Sequence, residues 1–488
     1  MGKFEIPRGW TAQAYRFALD PSPAQLRAFR SHAGGARKAY NTMLALVKAV
    51  TGQRQAERSY GIAEADLTPA LNWSLAGLRR EWNQRKDEAA PWWAENSKES
   101  YSSGLDALAR GLDAWDKSRK GKRAGAAAGF PHFKAARSRR SVRFTTGAIR
   151  VEADRHHVTL PRIGRIRTHE STRKLARRVE AGTARILSAT LSEDSSGRWH
   201  VAFQVIVQCA VSVPAHAGAG APAAGVDAGV KEDSLMVIAS PDGREIRRVP
   251  APKSLTAAQG RLRALQRRAA RQQGPWNPET RARRPPSKRW ARTNRRIGRL
   301  HAHAAAVRRD VLHKETTKLA QSHQVITVET LNASGMRSAG GAYKKGLNLA
   351  LSDAALAEIR RMLTYKCTRA GSALVEADRF YPSSKTCSGC GRRKPNLTLA
   401  DRTYECDHCG LRTDRDLNAA VNLARLGETR HQVPGEQGPA GSGPVAGRGA
   451  TRETEPARAG DAGGRETSTP HRQPPHKTGT ASPQGEAA

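Results

Sequence analysis

Four cysteines stand in two pairs, Cys387-x-x-Cys390 and Cys406-x-x-Cys409, with fifteen residues between the pairs. That spacing fits a tetrahedral site of four thiolates on one Zn²⁺. Gly391 and Gly410 follow each pair and permit the tight knuckle turn that aims backbone amides at sulfur. With all four positions taken by protein, the zinc is expected to be structural. Cys209 and Cys367 stand apart and read as buried hydrophobes. A second group of residues is built from oxygen. Asp227 ends the apolar run AAGVDAGV, Glu329 ends VITVE, and Asp416 lies at the start of DRDLNAAVNLAR. Each has an ordinary reading alone: a turn residue for the first two, a helix cap for the third. As a set, three converging carboxylates offer the hard ligands that Mg²⁺ requires and can hold two such ions ~3.5–4 Å apart. Asp414 is the rival for the third place.

The elements that must carry these acids can be read from periodicity. Strands are expected at 224–228, 235–240 and 245–250, the last two joined by a Pro241-Asp242-Gly243 turn. Long helical stretches follow near 254–272 and 288–321, where Ile297, Leu300, Ala304, Val307 and Val311 form a stripe. A strand at 325–329, a helix at 352–370 and a strand at 373–378 come next. Three strands, helices, a fourth strand ending in an acid and a late helix with another acid make an RNase H-like arrangement. The order Asp, Glu, Asp is that of RuvC-like nucleases; integrase-type transposases carry Glu last.

The first half is expected to begin with a strand at 11–19, stopped by Pro21-Ser22-Pro23, where Ser22 can cap a helix and Pro23 suits its first position. The helical pattern runs to about Trp115 and holds Trp73, Trp82, Trp92, Trp93 and Trp115, so a bundle with an aromatic core is expected. Residues 117–140 are basic and Gly/Ala-rich, a linker or a loop that touches nucleic acid. Strands are then expected at 141–152, 156–160, 184–193 and 198–208, with a hairpin at Ser195-Ser196-Gly197. An Ala/Gly/Pro linker at 215–224 marks a boundary, and the tail from Glu428 is too poor in large apolar residues to order itself.

Charge names the partner class. The chain of 488 residues holds 83 Lys and Arg against 44 acidic residues, a net charge of +39. Between residues 254 and 318 there are 18 basic and 3 acidic residues, where a solvated helical face would mix signs. A phosphate-facing surface is expected there. No run is long and apolar enough for a membrane span, no apolar leader opens the chain, and six cysteines do not make a disulfide framework. A reducing, cytoplasmic and nucleoid-associated protein is expected.

GVDAGVK (225–231), VETLNASGM (328–336), RFYPSSKTCSGCG (379–391), YECDHCG (404–410) and DRDLNAAVNLAR (414–425) together resemble the TnpB family, whose relatives include Fanzor proteins and type V CRISPR effectors. The likeness extends more loosely to YRFALDPSPAQ (15–25), ARKAYN (36–41) and FPHFK (130–134). It implies a multidomain α+β fold. A β-barrel wedge domain (1–22 and 134–215) would carry a helical recognition insertion (23–133). A RuvC-like nuclease domain (221–427) would carry a zinc ribbon (380–412), ahead of a disordered tail (428–488). It further implies a guide RNA from the transposon end, a double-stranded DNA target beside a short adjacent motif, and cleavage at Asp227, Glu329 and Asp416 with Mg²⁺. Specificity would reside in base pairing. Ala228 departs from the bulkier residue common there. The alternatives are a guide-directed repressor that does not cut, and a strand-joining transposase.

Overall fold

The computed structural model describes residues 5–208, 223–279, 282–283, 286–338, 344–398 and 400–432. Cys209, the 215–222 part of the linker and the tail beyond residue 432 lie outside them.

The chain opens with β1 (Trp10–Asp20) and α1 (Pro23–Ser59). Ser22 caps α1 as its sequence suggests: its hydroxyl accepts from the Gln25 amide, and the Gln25 side chain returns the bond to the Ser22 amide. Next come α2 (Leu75–Ala89) and α3 (Lys98–Arg119), and the three helices bury Tyr40, Met43, Leu78, Trp82, Leu105 and Leu108 between them. The expected aromatic core is present. Trp82 stacks on Tyr101 at 5.2 Å, and Trp115 meets Trp73 and Phe130 edge-on.

After this insertion the chain returns to β-structure: β2 (Ser141–Phe144), β3 (Arg150–Val151), β4 (His157–Leu160), β5 (Gly164–Thr168), α4 (Arg173–Glu180), β6 (Ala184–Glu193) and β7 (Trp199–Gln208). With β1 they form one antiparallel sheet in the order β2-β6-β7-β1-β5-β4-β3. The first strand is shared: Trp10 to Ala18 pair with β7, and Leu19 and Asp20 pair with β5. The outer strands β2 and β3 are four and two residues long and make no ladder with one another among the described residues. The strands of the expected barrel wedge share one core, and the pairing that would close them into a barrel is not present among the described residues. Phe29, Ala33 and Ala36 of α1 join that core, so α1 spans two cores, that of the sheet and that of the bundle.

The second half carries β8 (Ala224–Ala228), β9 (Met236–Ala239), β10 (Glu245–Val249), α5 (Ser254–Arg271), a two-residue pair β11 (Trp276–Asn277) and β12 (Ala282–Arg283), and α6 (Lys288–Ser322). Then follow β13 (Val325–Glu329), α7 (Ala333–Ser338), α8 (Lys345–Ala354), α9 (Leu356–Ala370), β14 (Ala373–Ala377), β15 (Thr403–Glu405), β16 (Arg412–Asp414) and α10 (Arg415–Gln432). The sheet order is β10-β9-β8-β13-β14; β8, β13 and β14 run parallel, and β9 runs antiparallel to both of its neighbours, β8 and β10.

Two expectations are corrected. The single helix expected over 352–370 is broken at Ala355, which sits at φ +50°. The break leaves buried Asp353 free to accept the backbone amides of Leu255 and Thr256 at the start of α5. The ordered chain also continues past Glu428. Helix α10 runs to Gln432, held because Gly427 lies against Thr327 of β13.

Candidate active site

The register of the parallel strands brings the first two acids together. Val226 of β8 pairs with Val328 of β13, so Asp227 and Glu329, one residue on, lie level at the carboxyl ends of neighbouring strands. Strand alternation then sets their face. Two residues before Asp227 is Gly225, and a Cβ there would lie 1.9 Å from the Ala420 carbonyl oxygen of α10. Two residues before Glu329 is Thr327, whose hydroxyl would lie 2.0 Å from a Cβ on Gly427 of the same helix. Both acids therefore sit on the face that α10 covers, beyond the points where glycine lets helix and sheet approach. Asp416, one turn before Ala420, is carried toward them.

The electrostatics report the same convergence. Burial pushes the Asp227 carboxyl well above the usual carboxylate range, and the Glu329 and Asp416 carboxylates push it further. Arg415 and Lys231 oppose this only in part. Asp416 is ion-paired to Lys231 and accepts a hydrogen bond from the Ser234 hydroxyl at 3.2 Å. Glu329 accepts one from the Ser383 hydroxyl. Asp414 is engaged differently. It caps α10, accepting the backbone amides of Asp416 at 3.0 Å and Leu417 at 2.9 Å, and pairs with Arg248. Its carboxyl is held low although burial alone would raise it, through the Leu417 amide and Arg248.

Three oxygen-rich side chains, one of them resisting ionisation because of burial and then of the other two, fit a divalent cation well. Among the described residues, however, the group whose ligand atoms all lie within 4.8 Å of one another is the cysteine tetrad. The three carboxylates are not in such a group; Lys231 and Ser234 engage Asp416, and Ser383 engages Glu329.

The tetrad is Cys387, Cys390, Cys406 and Cys409, as the spacing predicts. Gly391 and Gly410 adopt φ +76° and +71°, which closes each knuckle. The Gly389 amide donates to Cys387 Sγ at 3.3 Å. Backbone amides of Cys409 and His408 draw the Cys406 thiol down to about 6, whereas burial pushes Cys387 up to about 12. Such a donor set suits zinc. Cys367 is buried and unreactive, its thiol raised to about 11 by burial.

The ribbon is fastened to the acid-bearing helix. Asn418 is fully buried; its amide nitrogen donates to the Thr386 carbonyl at 2.7 Å and its oxygen accepts the Ser388 amide at 2.8 Å. Asn422 donates to the carbonyls of Ser383 and Thr386 at 2.8 and 2.7 Å, and Arg425 donates to Ser388. Farther away, α5 and α6 pack side by side and leave Arg261, Arg263, Arg267, Arg292, Arg295 and Arg299 exposed. Gly298 of α6 lies against the Ser195 carbonyl of the β6–β7 turn, 2.1 Å from a Cβ placed there, and thereby seats the basic hairpin on the N-terminal sheet.

Three family profiles match this chain: "Helix-turn-helix domain" over 11–55, "Probable transposase" over 206–339 and "Cas12f1-like, TNB domain" over 357–423. The first stretch is here a strand and one uninterrupted helix. A Mycobacterium tuberculosis (strain H37Rv) protein named "Putative RNA-guided DNA endonuclease Rv2885c" is 39% identical over 479 residues, 96% of this chain and 95% of that protein. The chain belongs to the TnpB family. An Escherichia coli K12 relative, "Putative RNA-guided DNA endonuclease InsQ", is 28% identical over 85% of this chain and 92% of its own. Three mimivirus relatives carry the name "TnpB-like protein" and match over 29% of this chain at 30% identity. A solved structure named "Cryo-EM structure of the Cas12f1-sgRNA-target DNA complex" aligns over 86% of this chain and 99% of its own at TM-score 0.43 and 12% identity. In this TnpB chain the site residues that sequence reasoning passed over are Lys231, Ser234, Ser383, Asn418 and Asn422. All but Ser234 lie inside motifs already noticed for their acids and cysteines.

Proposed function

We propose that this chain is a transposon-encoded, RNA-guided DNA endonuclease whose cutting site is an RNase H-like, RuvC-type triad of Asp227, Glu329 and Asp416. The observation that carries this reading is the register that sets Asp227 and Glu329 level at the carboxyl edge of a five-stranded sheet, on the face covered by the helix that bears Asp416. There, burial and the other two acids disfavour charge on Asp227. A site that penalises its own negative charge is suited to gather cations. Two Mg²⁺ ions held there would activate a water and support the leaving oxygen of a phosphodiester. The protein's own contribution is to fix the three carboxylates on the α10 face and, in Lys231, to keep a counter-charge on Asp416. Asp414 serves as the helix cap and not as a ligand. Cys387, Cys390, Cys406 and Cys409 would hold one structural Zn²⁺.

In this reading a guide RNA from the transposon end and the heteroduplex it forms with double-stranded target DNA lie along the basic surfaces. Residues 23–133 act as a recognition lobe, 1–22 with 134–215 as a wedge, and 221–427 as the nuclease, with its ribbon at 380–412. The names of the relatives support the guided activity. All three acids are present, which favours cutting over guide-directed repression, and their order disfavours a strand-joining transposase.

The test is to sequence the RNA that co-purifies with the protein, then give that complex plasmid DNA bearing a matching target and a randomised flank, with Mg²⁺. Target-dependent cutting that vanishes in Asp227→Ala is expected. A discrete RNA with binding but no cutting would indicate the repressor, and RNA-independent nicking the transposase.

A further inference from the structure

The segment between β14 and the first knuckle joins two sites that sequence reasoning treats as separate. Ser383 is 3% exposed and its hydroxyl donates to Glu329 Oε1. Its carbonyl accepts from Asn422, which also holds the Thr386 carbonyl. Asn418 grips the next stretch from both ends of its amide, at Thr386 and at Ser388 beside Cys387. Asn418 and Asn422 are one helical turn apart on α10, and Asp416 is in the first turn of the same helix. Asparagine is a poor interior helix residue, and a buried amide is costly unless its hydrogen bonds are made. Here both amide atoms of Asn418 and the amide nitrogen of Asn422 bond to ribbon backbone, so what the two asparagines stabilise is the seat of the ribbon on α10.

We propose that Ser383 is a positioning residue that orients Glu329 toward the cation site, and that Asn418 and Asn422 enable it by fixing the Cys387 knuckle on α10. The inference rests on the nuclease reading above. The ribbon then does more than fold around its own zinc. It sets one carboxylate through Ser383 and shares a helix with another. A hydroxyl donated to one oxygen of a ligating carboxylate fixes its rotamer and lowers its freedom to turn away, and partners of this kind are typically worth 10–100-fold in metal affinity.

The experiment is a Mn²⁺ titration of full-length protein stripped of nucleic acid, followed by the paramagnetic signal of free Mn²⁺, alongside zinc content and thermal melting. Ser383→Ala should weaken Asp227-dependent Mn²⁺ binding about 10-fold or more, with zinc still at one per chain. Ser383→Thr, which keeps the hydroxyl, should restore it. Asn422→Ala should weaken Mn²⁺ binding in the same direction without touching Glu329. Were Ser383 merely a packing residue, Ser383→Ala would lower the melting temperature and leave Mn²⁺ affinity at the wild-type value, which overturns the proposal. Wild-type protein that shows no Asp227-dependent Mn²⁺ binding would instead overturn the reading of the site itself.

Discussion

Asp227 carries the largest electrostatic strain in the site, and its sign can be followed into two measurements. Its folded-state carboxyl lies well above the ordinary range, because burial and two neighbouring carboxylates disfavour the anion. An acid raised on folding favours the folded state at low pH, and that contribution is lost as pH rises through the folded value. Asp227→Asn imitates the protonated form. In buffer without divalent cations it should melt a few degrees higher than wild type at pH 7.5, and the gain should shrink as pH falls toward 4; an equal or lower melting temperature at pH 7.5 would contradict the raised value. The same variant should lose target cleavage by a factor of about 10³ or more while keeping its RNA. Cation binding must also displace the retained proton. The Mg²⁺ concentration for half-maximal cleavage should therefore fall as pH rises from 6 to 8, and a flat profile would mean Asp227 is already ionised.

At the scale of elements, the site depends on how closely α10 approaches β8 and β13. Gly225 meets helix backbone, the Ala420 carbonyl and the Ala424 amide, which cannot move aside without shifting the helix. Gly225→Ala should cost about 1–3 kcal/mol or more, measured by denaturant melts, and should impair cleavage beyond its effect on stability because Asp416 moves with α10. Gly427 meets a side chain instead, so Gly427→Ala should be milder and partly rescued by Thr327→Ala, a coupling readable in a double-mutant cycle. These contacts also mark the limit of what the sequence discloses. The cysteine spacing and the strand-end acids are legible because ligand chemistry dictates residue type at short separations. Gly225 looks like any strand glycine until a helix almost two hundred residues later lands on it. Asn418 and Asn422 look like solvated helix positions until the knuckle covers them, and the break at Ala355 has no Gly or Pro to announce it. In each case the cause is a tertiary contact and not a local preference.

For the whole molecule, the net charge of +39 must be offset by phosphate when the protein works. Affinity for its RNA should therefore fall steeply with salt. Neutralising Arg292, Arg295 and Arg299 together, all exposed on α6, should flatten the slope of log affinity against log salt by about 0.7 per lost single-strand contact. An unchanged slope would place the nucleic acid on another face. No helix among the described residues is long and apolar enough to cross a membrane.

Helix α1 has a mechanical consequence. Its 37 residues make a rod about 55 Å long at 1.5 Å per residue. Its N-terminal part is packed into the sheet by Phe29, Ala33 and Ala36, and its middle into the bundle by Met43, Leu44 and Val47. A rod packed into both cores without a break behaves as a lever without a joint: it ties the bundle to the sheet directly. The second connection, residues 120–140, forms no strand or helix, yet it is fastened too. Phe130 packs on the bundle core and Asn41 exchanges hydrogen bonds with Lys134, so bundle and sheet are tied at both crossings.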